Sequence, residues 1–181
     1  MIDLDKMFRM ACRDTRSDIN EHLPTLLKYG RSVNHITEFG VRGGCSTLAW
    51  WYAWPESLRC YDIAPSEAHD FLMSKTEDAW ELDYKFIQAD VLEIEIEETD
   101  LLFIDTYHTY DQLSKELALH GNKSRRYLIF HDTTTFGEQG EDHNKPGLVQ
   151  AINEFLWRNK HWSVKEIFYN NNGLLVLERG I

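Results

Sequence analysis

The chain has 181 residues, 43% of them hydrophobic and 13% aromatic, which is enough apolar material for one domain with a sizeable core and too much for a disordered segment. A net charge of −11 argues against broad binding to nucleic acid or to an anionic membrane surface. The one compact basic patch, Lys123, Arg125 and Arg126, reads as a solvated loop before a strand.

Three cysteines, Cys12, Cys45 and Cys60, show no C-x-x-C spacing and fit reduced thiols in a cytoplasmic protein. Cys45 reads as a small packed thiol rather than a nucleophile. The N-terminus is charged and has no apolar signal core, and no run approaches the roughly 18 apolar residues of a membrane helix. Neither an internal repeat nor a low-complexity linker is visible. A single domain over 1–181 is expected, with a helical segment over 1–30 that packs on the sheet or covers one side of a site.

In chain order, residues 3–30 read as two helical pieces. Leu4, Met7, Phe8 and Ala11 share one face of the first. Pro24 sits near the start of the second or kinks it, and Gly30 ends it. Ile36 to Phe39 reads as a buried strand end. Gly40, Gly43 and Gly44 then turn the chain, with Ser46 and Thr47 as caps for a helix opening at Leu48. Strand, glycine turn and helix is a way to hold a nucleotide-like ligand, because glycines admit it to the backbone and the helix N-terminus offers free N–H groups. It is also an ordinary β–α turn. Glu38, two residues before Gly40, would stand at the mouth of the turn. There it would repel a pyrophosphate and suit a ligand with positive charge and hydrogen-bond donors. The pattern E-x-G-x-x-G-G also lacks the full G-x-G-x-x-G spacing.

Leu58 to Tyr61 is a second strand, ending at Asp62. A carboxylate there, 22 residues after Gly40, can accept from a ribose diol, or can cap the next helix. Ser66 is the better cap, with Glu67 in the first turn of a helix over Ser66–Trp80. Tyr84 to Gln88 is a third strand, followed by Asp90 and Val91. The glutamate-rich stretch Glu93–Glu98 reads as an exposed connection. Asp100 to Asp105, DLLFID, is a central strand buried on both faces. A loop over Thr106–Tyr110 leads to a helix over Asp111–His120. Tyr127 to Phe130 is a fifth strand, ending at His131 and Asp132. The polar loop Thr133–Pro146 can close over a site. A helix over Gly147–Trp157 and two strands, Trp162–Tyr169 and Leu174–Leu177, complete the chain, the strands joined by the hairpin signal NNNG.

Taken together these residues resemble a class I S-adenosylmethionine-dependent methyltransferase, over nearly all of Ile36–Glu178. The resemblance rests on Glu38 with its glycine turn, Asp62, Asp90, Asp105 and the closing hairpin. The stretches FIDTYHTYDQLSKEL and IFHDTT resemble the small-molecule O-methyltransferase branch that includes cephalosporin-hydroxylase-like and macrolide-sugar methyltransferases. The resemblance implies an α/β, Rossmann-like, seven-stranded sheet in the order 3-2-1-4-5-7-6, its seventh strand antiparallel and its helices on both faces. It implies ligand entry at the carboxyl ends of the strands.

For S-adenosylmethionine it implies contacts from Glu38 and Gly40 to the methionine part and the turn, from Asp62 to the ribose, and from Asp90 and Val91 to the adenine, with Gly43, Gly44, Ser46, Ile63 and Asp105 also in the cofactor site. In those relatives, acids ending strands four and five often hold a divalent metal. Two departures stand out: the turn carries the long cation Arg42, and no capping insertion is present, so the acceptor pocket depends on the N-terminal helices or on a second subunit in a homo-oligomer.

Adjacent fourth and fifth strands would bring Asp105, His108, His131 and Asp132 together. Asp105, His131 and Asp132 are the candidate ligands for Mg²⁺ or another divalent cation. Asp105, His108 and His131 are the candidate catalytic groups, His108 being the preferred general base. Alternatively, His131 only bonds the loop and Asp132 caps it. Tyr107, Tyr110 and Trp162 would stack on an acceptor or fill the core. The expected acceptor is a sugar, phenol or secondary metabolite, with no nucleic-acid or membrane partner. The competing readings are an NAD(P)-dependent oxidoreductase on a related scaffold and a non-catalytic cofactor-binding subunit. A metal-dependent hydroxylase is a further one, for which the sequence offers no separate oxygen-activating site.

Overall fold

The computed structural model describes residues 3–65, 67, 70 and 82–180. The helix expected over Ser66–Trp80, with its cap at Ser66, lies almost wholly outside those residues. Seven strands form one sheet in the order β3-β2-β1-β4-β5-β7-β6. They are β1 (His35–Phe39), β2 (Ser57–Asp62), β3 (Asp83–Gln88), β4 (Thr99–Ile104), β5 (Ser124–His131), β6 (Trp162–Phe168) and β7 (Leu174–Arg179). Strands β1 to β5 pair in parallel, and β7 runs antiparallel to both β5 and β6. This is the expected order and sense.

Alternating side chains of the central strands feed two cores. Ile36, Leu101, Phe103 and Ile129 face α1 (Leu4–Ala11), α2 (Leu23–Gly30) and α3 (Cys45–Ala53). Phe39, Leu102, Ile104 and Phe130 face α4 (Tyr110–His120) and α5 (Leu148–Arg158). Burial on both faces is why β4 reads as an unbroken apolar run. No helix among the described residues is long and apolar enough to cross a membrane.

Several boundaries differ from the sequence expectation. Helix α3 begins at Cys45, capped by Gly44 in the left-handed region (φ 72°). Ser46 and Thr47 therefore lie inside the helix and do not cap it. Strand β5 begins at Ser124, so Arg125 and Arg126 belong to the strand and not to a loop. Both are exposed; Arg126 donates to the Ser32 carbonyl at 2.6 Å and Arg125 pairs with Asp100 at 3.3 Å. Pro24 falls in the first turn of α2, where its missing N–H is harmless. Trp162 is 4% exposed and packs on Phe155, so it fills the core and offers no stacking surface to an acceptor.

Candidate active site

The strand ends are level. Gly40 N–H donates to the Tyr61 carbonyl, Asp105 N–H to Phe39, and Ala89 N–H to Asp62, each at 2.9 Å. The residues that follow β1, β2, β3 and β4 therefore form one rim. Gly40 (φ +86°) lies so close to β4 that a Cβ there would sit 2.0 Å from the Asp105 carbonyl oxygen. Only glycine fits, and its absence of a side chain opens the floor of a cavity of about 760 Å³.

Glu38 does not stand at the mouth of the turn. It shares the α3 side of the sheet with Ile36, is completely buried, and accepts from Thr47 Oγ1 at 2.7 Å, Trp50 Nε1 at 3.1 Å and Cys60 Sγ at 3.0 Å. Burial pushes its carboxyl up to about 7, against these bonds. It braces strand β1 against helix α3, beneath the turn. Gly44 only caps α3, and Gly43 and Ser46 line a neighbouring groove that meets the cavity at Asp105. Of the cofactor-site candidates on and around the turn, Glu38, Gly40, Gly43, Gly44 and Ser46, Gly40 alone lines the cavity.

Asp62 organises the turn. Its Oδ2 accepts from Val41 N–H at 2.8 Å and Arg42 N–H at 3.0 Å, and its Oδ1 from Ala64 N–H at 2.9 Å. With three of roughly four lone-pair sites taken, it has room for one further donor rather than a whole diol. Ile63, Asp90 and Val91 line the same end of the cavity. Asp90 Oδ1 accepts from Leu92 N–H, and the Val91 carbonyl is held at 2.7 Å by the buried His120.

Asp105, His108 and Asp132 line the other end. His108 Nε2 lies 3.0 Å from Asp132 Oδ2 and 3.3 Å from Asp105 Oδ1, and its Nδ1 lies 3.0 Å from Glu141 Oε2. Its ring stacks on Phe136 at 4.8 Å. His131 sits behind this row, 1% exposed. Its Nδ1 is 3.3 Å from both Asp105 Oδ1 and Asp132 Oδ2. Its Nε2 meets the carbonyls of Asp18 and Asn171 at 3.1 and 3.2 Å.

Burial alone would lower both imidazoles. The Asp105 and Asp132 carboxylates outweigh it and push each up to about 10. Burial likewise opposes ionisation of Asp132 and Asp105, but the two histidines hold both below the usual carboxylate range. In this state His108 keeps its proton at neutral pH, whereas a general base must be free to accept one.

Loops supply much of the remaining lining. Asp18, Thr135, Phe136, Glu141 and Asn172 reach the cavity from them, and Gln112 reaches it from the first turn of α4. The loop Thr133–Pro146 was legible as a possible cover, but nothing in the sequence singles out Asp18 or Asn172. Asp18 brings the N-terminal segment to the site, and its carboxylate pairs with Arg42 at 2.8 Å. Tyr107 lines the cavity. Tyr110 does not, its hydroxyl donating to Glu154 instead.

No protein-family description and no curated protein sequence matches the chain. Solved structures do. The SAH-bound methyltransferase PaMTH1 of Podospora anserina is 17% identical, with a TM-score of 0.65 over 100% of this chain and 89% of that one. A putative caffeoyl-CoA O-methyltransferase from Staphylococcus aureus is 14% identical, with a TM-score of 0.66 over 99% and 93%. An O-methyltransferase from Bacillus cereus in complex with SAH is 15% identical, with a TM-score of 0.62 over 97% and 88%. Sheet order, antiparallel β7 and near-complete overlap with these proteins give the chain the Rossmann-like fold of S-adenosylmethionine-dependent O-methyltransferases.

Proposed function

We propose that the chain is an S-adenosylmethionine-dependent methyltransferase that methylates a hydroxyl of a small-molecule acceptor. The observation that carries this reading is a cavity on this fold with acids at both ends: Asp62 at the end of β2 and Asp90 beyond β3, Asp105 and Asp132 beyond β4 and β5. The first pair suits a nucleoside and the second suits the reacting oxygen. Similar proteins crystallised with SAH support the same donor.

The nicotinamide alternative is disfavoured by a different feature from the one expected. Glu38 is hidden and repels nothing in the cavity. Instead the Val41 and Arg42 N–H groups, which a dinucleotide's pyrophosphate would need, are already donated to the Asp62 carboxylate.

A divalent cation fits the second acidic pair. One ligand atom each from Asp105, His131 and Asp132 lies within 4.8 Å of the others. Asp132 Oδ1 is buried and has no hydrogen-bond partner. The two carbonyls at His131 Nε2 can only accept, so that nitrogen carries hydrogen and Nδ1 is left facing the carboxylates. Two carboxylate oxygens and an imidazole suit Mg²⁺ or Mn²⁺. Such an ion, when bound, lowers the pKa of an acceptor hydroxyl. His108 can accept that proton through Nε2 only once positive charge other than its own neutralises Asp105 and Asp132. Glu141 then receives Nδ1–H and steadies the imidazolium. Methyl transfer itself needs in-line alignment and no covalent help.

We take residues 1–181 as one catalytic domain whose 1–30 segment completes the site, and its three free thiols support a cytoplasmic setting. A thermal-shift experiment tests the reading, since a ligand of the native state raises the melting temperature. SAH is expected to raise it and NAD to leave it unchanged. Mn²⁺ is expected to add to the shift in the wild type but not in Asp132→Ala. A shift with NAD and none with SAH would reverse the assignment.

A further inference from the structure

The hairpin between β6 and β7 brings its tip to the end of the cavity that holds Asp105 and Asp132. The β5–β7 register sets Leu174 opposite His131, so Asn172 stands beside the loop that follows Asp132. The Asn171 carbonyl is 3.2 Å from His131 Nε2, which ties the tip to the back of the acidic pair. Asn172 lines the cavity together with Thr135 and Phe136. The turn carrying those two closes on Asp132, the Phe136 N–H donating to the Asp132 carbonyl at 2.9 Å. Thr135, and Asn172 bonded to it, therefore lie about one turn, roughly 5 Å, from Asp132.

Both oxygens of Asn172 are committed. Its carbonyl accepts from the Thr134 and Thr135 N–H groups at 2.8 and 3.1 Å, and its Oδ1 from the Thr135 hydroxyl at 2.9 Å. That leaves Nδ2, with two hydrogens and no partner among the described residues. Its surroundings are opposite in kind. Asp105, Asp132 and Glu141 can only accept when ionised. His108 turns both ring nitrogens to those carboxylates. The Tyr107 hydroxyl donates to Asp142 at 2.7 Å, and the Arg42 guanidinium pairs with Asp18. A substrate hydroxyl thus meets acceptors for its hydrogen. An oxygen with no hydrogen is repelled by the same carboxylates and finds a neutral match at Asn172 Nδ2.

We propose that Asn172 Nδ2 binds a hydrogen-free oxygen of the methyl-accepting substrate, which makes that substrate a hydroxy-carbonyl compound, with an ortho-acyl phenol as the simplest form. The hydroxyl to be methylated faces Asp105 and Asp132, and the carbonyl a few bonds away faces Asn172. Asn172 is the specificity residue. Thr135, which takes up Oδ1 and so leaves Nδ2 for the cavity, is the positioning residue. The proposal rests on the methyl-transfer reading above.

Calorimetric titration of the full chain tests it, first with SAH, then, with SAH bound, with 2-hydroxyacetophenone and with 2-ethylphenol. The two phenols share one outline and differ by a carbonyl oxygen in place of two hydrogens. The wild type is expected to prefer the ketone at least about tenfold, because the ethyl group leaves a polar group of the site unpaired. Asn172 has a left-handed backbone (φ 69°), which glycine adopts freely, so Asn172→Gly removes the amide without strain. That variant should lower the preference by roughly five- to tenfold. Asn172→Asp, which puts an acceptor where the donor stood, should abolish or reverse it. Thr135→Val frees the amide to turn either way and should lower it in part. A ratio of two ligands on one variant cancels general loosening, so a merely structural role would leave it unmoved. Unchanged ratios in Asn172→Gly and Asn172→Asp overturn the proposal. So does a wild type that takes up SAH and then binds both phenols equally, or neither. A wild type that does not bind SAH overturns the methyl-transfer reading and this proposal with it.

Discussion

Glu38 illustrates how one residue can sit next to a cavity and still not line it. Strand alternation puts it on the α3 side with Ile36, so its carboxylate meets Thr47, Trp50 and Cys60. Side-chain donors do not fully offset the loss of water, and the carboxyl stays protonated up to about 7 from an ordinary 4.5. The sign follows from linkage: the unfolded chain releases this proton first, so ionisation favours unfolding. The group's contribution is intact below about pH 4.5 and is lost as pH rises to about 7, by about 3 kcal/mol. Glu116, also pushed up to about 7, adds a slope of the same sign. Glu38→Gln should remove the Glu38 share, so that urea midpoints at pH 5 and pH 8 differ less than in the wild type. An undiminished difference would mean that Glu38 is ionised in the folded protein. The sequence could place an acid before the glycine turn. Which face it takes follows from the strand's two-residue period, a signal present in Ile36 and Glu38 but outweighed by proximity to Gly40.

At the level of elements, legibility tracked burial. Strand β4 and the core of β5 were readable because parallel strands covered on both faces become continuous apolar runs. The first three residues of β5 were not, because Arg125 and Arg126 lie exposed. The start of α3 was misplaced because a left-handed glycine, rather than a side-chain oxygen, ends the turn. The NNNG hairpin was plain, but not its second duty. Asn171, Asn172 and Gly173 take three successive left-handed conformations. The Asn172 carbonyl accepts from Thr134 and Thr135 N–H at 2.8 and 3.1 Å, and the Asn171 carbonyl meets His22 and His131. The hairpin tip is therefore fastened to the loop after β5 and to the back of the acidic cluster. A Cβ on Gly173 would lie 2.3 Å from Thr134 Oγ1 and 2.5 Å from its nitrogen, at φ +95°. Gly173→Ala should cost about 2–4 kcal/mol in a denaturant titration. It should also loosen the Thr134 and Thr135 amides in hydrogen exchange, and wild-type protection there would show the fastening to be dispensable.

Across the whole molecule, the charge pattern and the sheet act on the same ligand. The net charge is −11, and Asp18, Asp62, Asp90, Asp105, Asp132 and Glu141 all line one cavity, with Arg42 at its edge. An acid-lined concavity concentrates field and draws in cations. S-adenosylmethionine carries a sulfonium, an ammonium and a carboxylate, for a net charge of +1. SAH lacks the sulfonium charge and is neutral overall, yet has nearly the same shape. Steering should therefore act on the donor and not on the spent product, which helps the product leave. Salt screens such steering over about 10 Å at 0.1 M and about 30 Å at 0.01 M. Stopped-flow association measured between those ionic strengths should show the S-adenosylmethionine on-rate falling several-fold as salt rises, with the SAH on-rate nearly flat. Equal salt dependence for the two would mean that the acidic lining is neutralised before the donor arrives, by the histidines or by a bound cation. Repeating the measurement with and without Mn²⁺ separates these, because only a bound cation makes the S-adenosylmethionine salt dependence respond to metal.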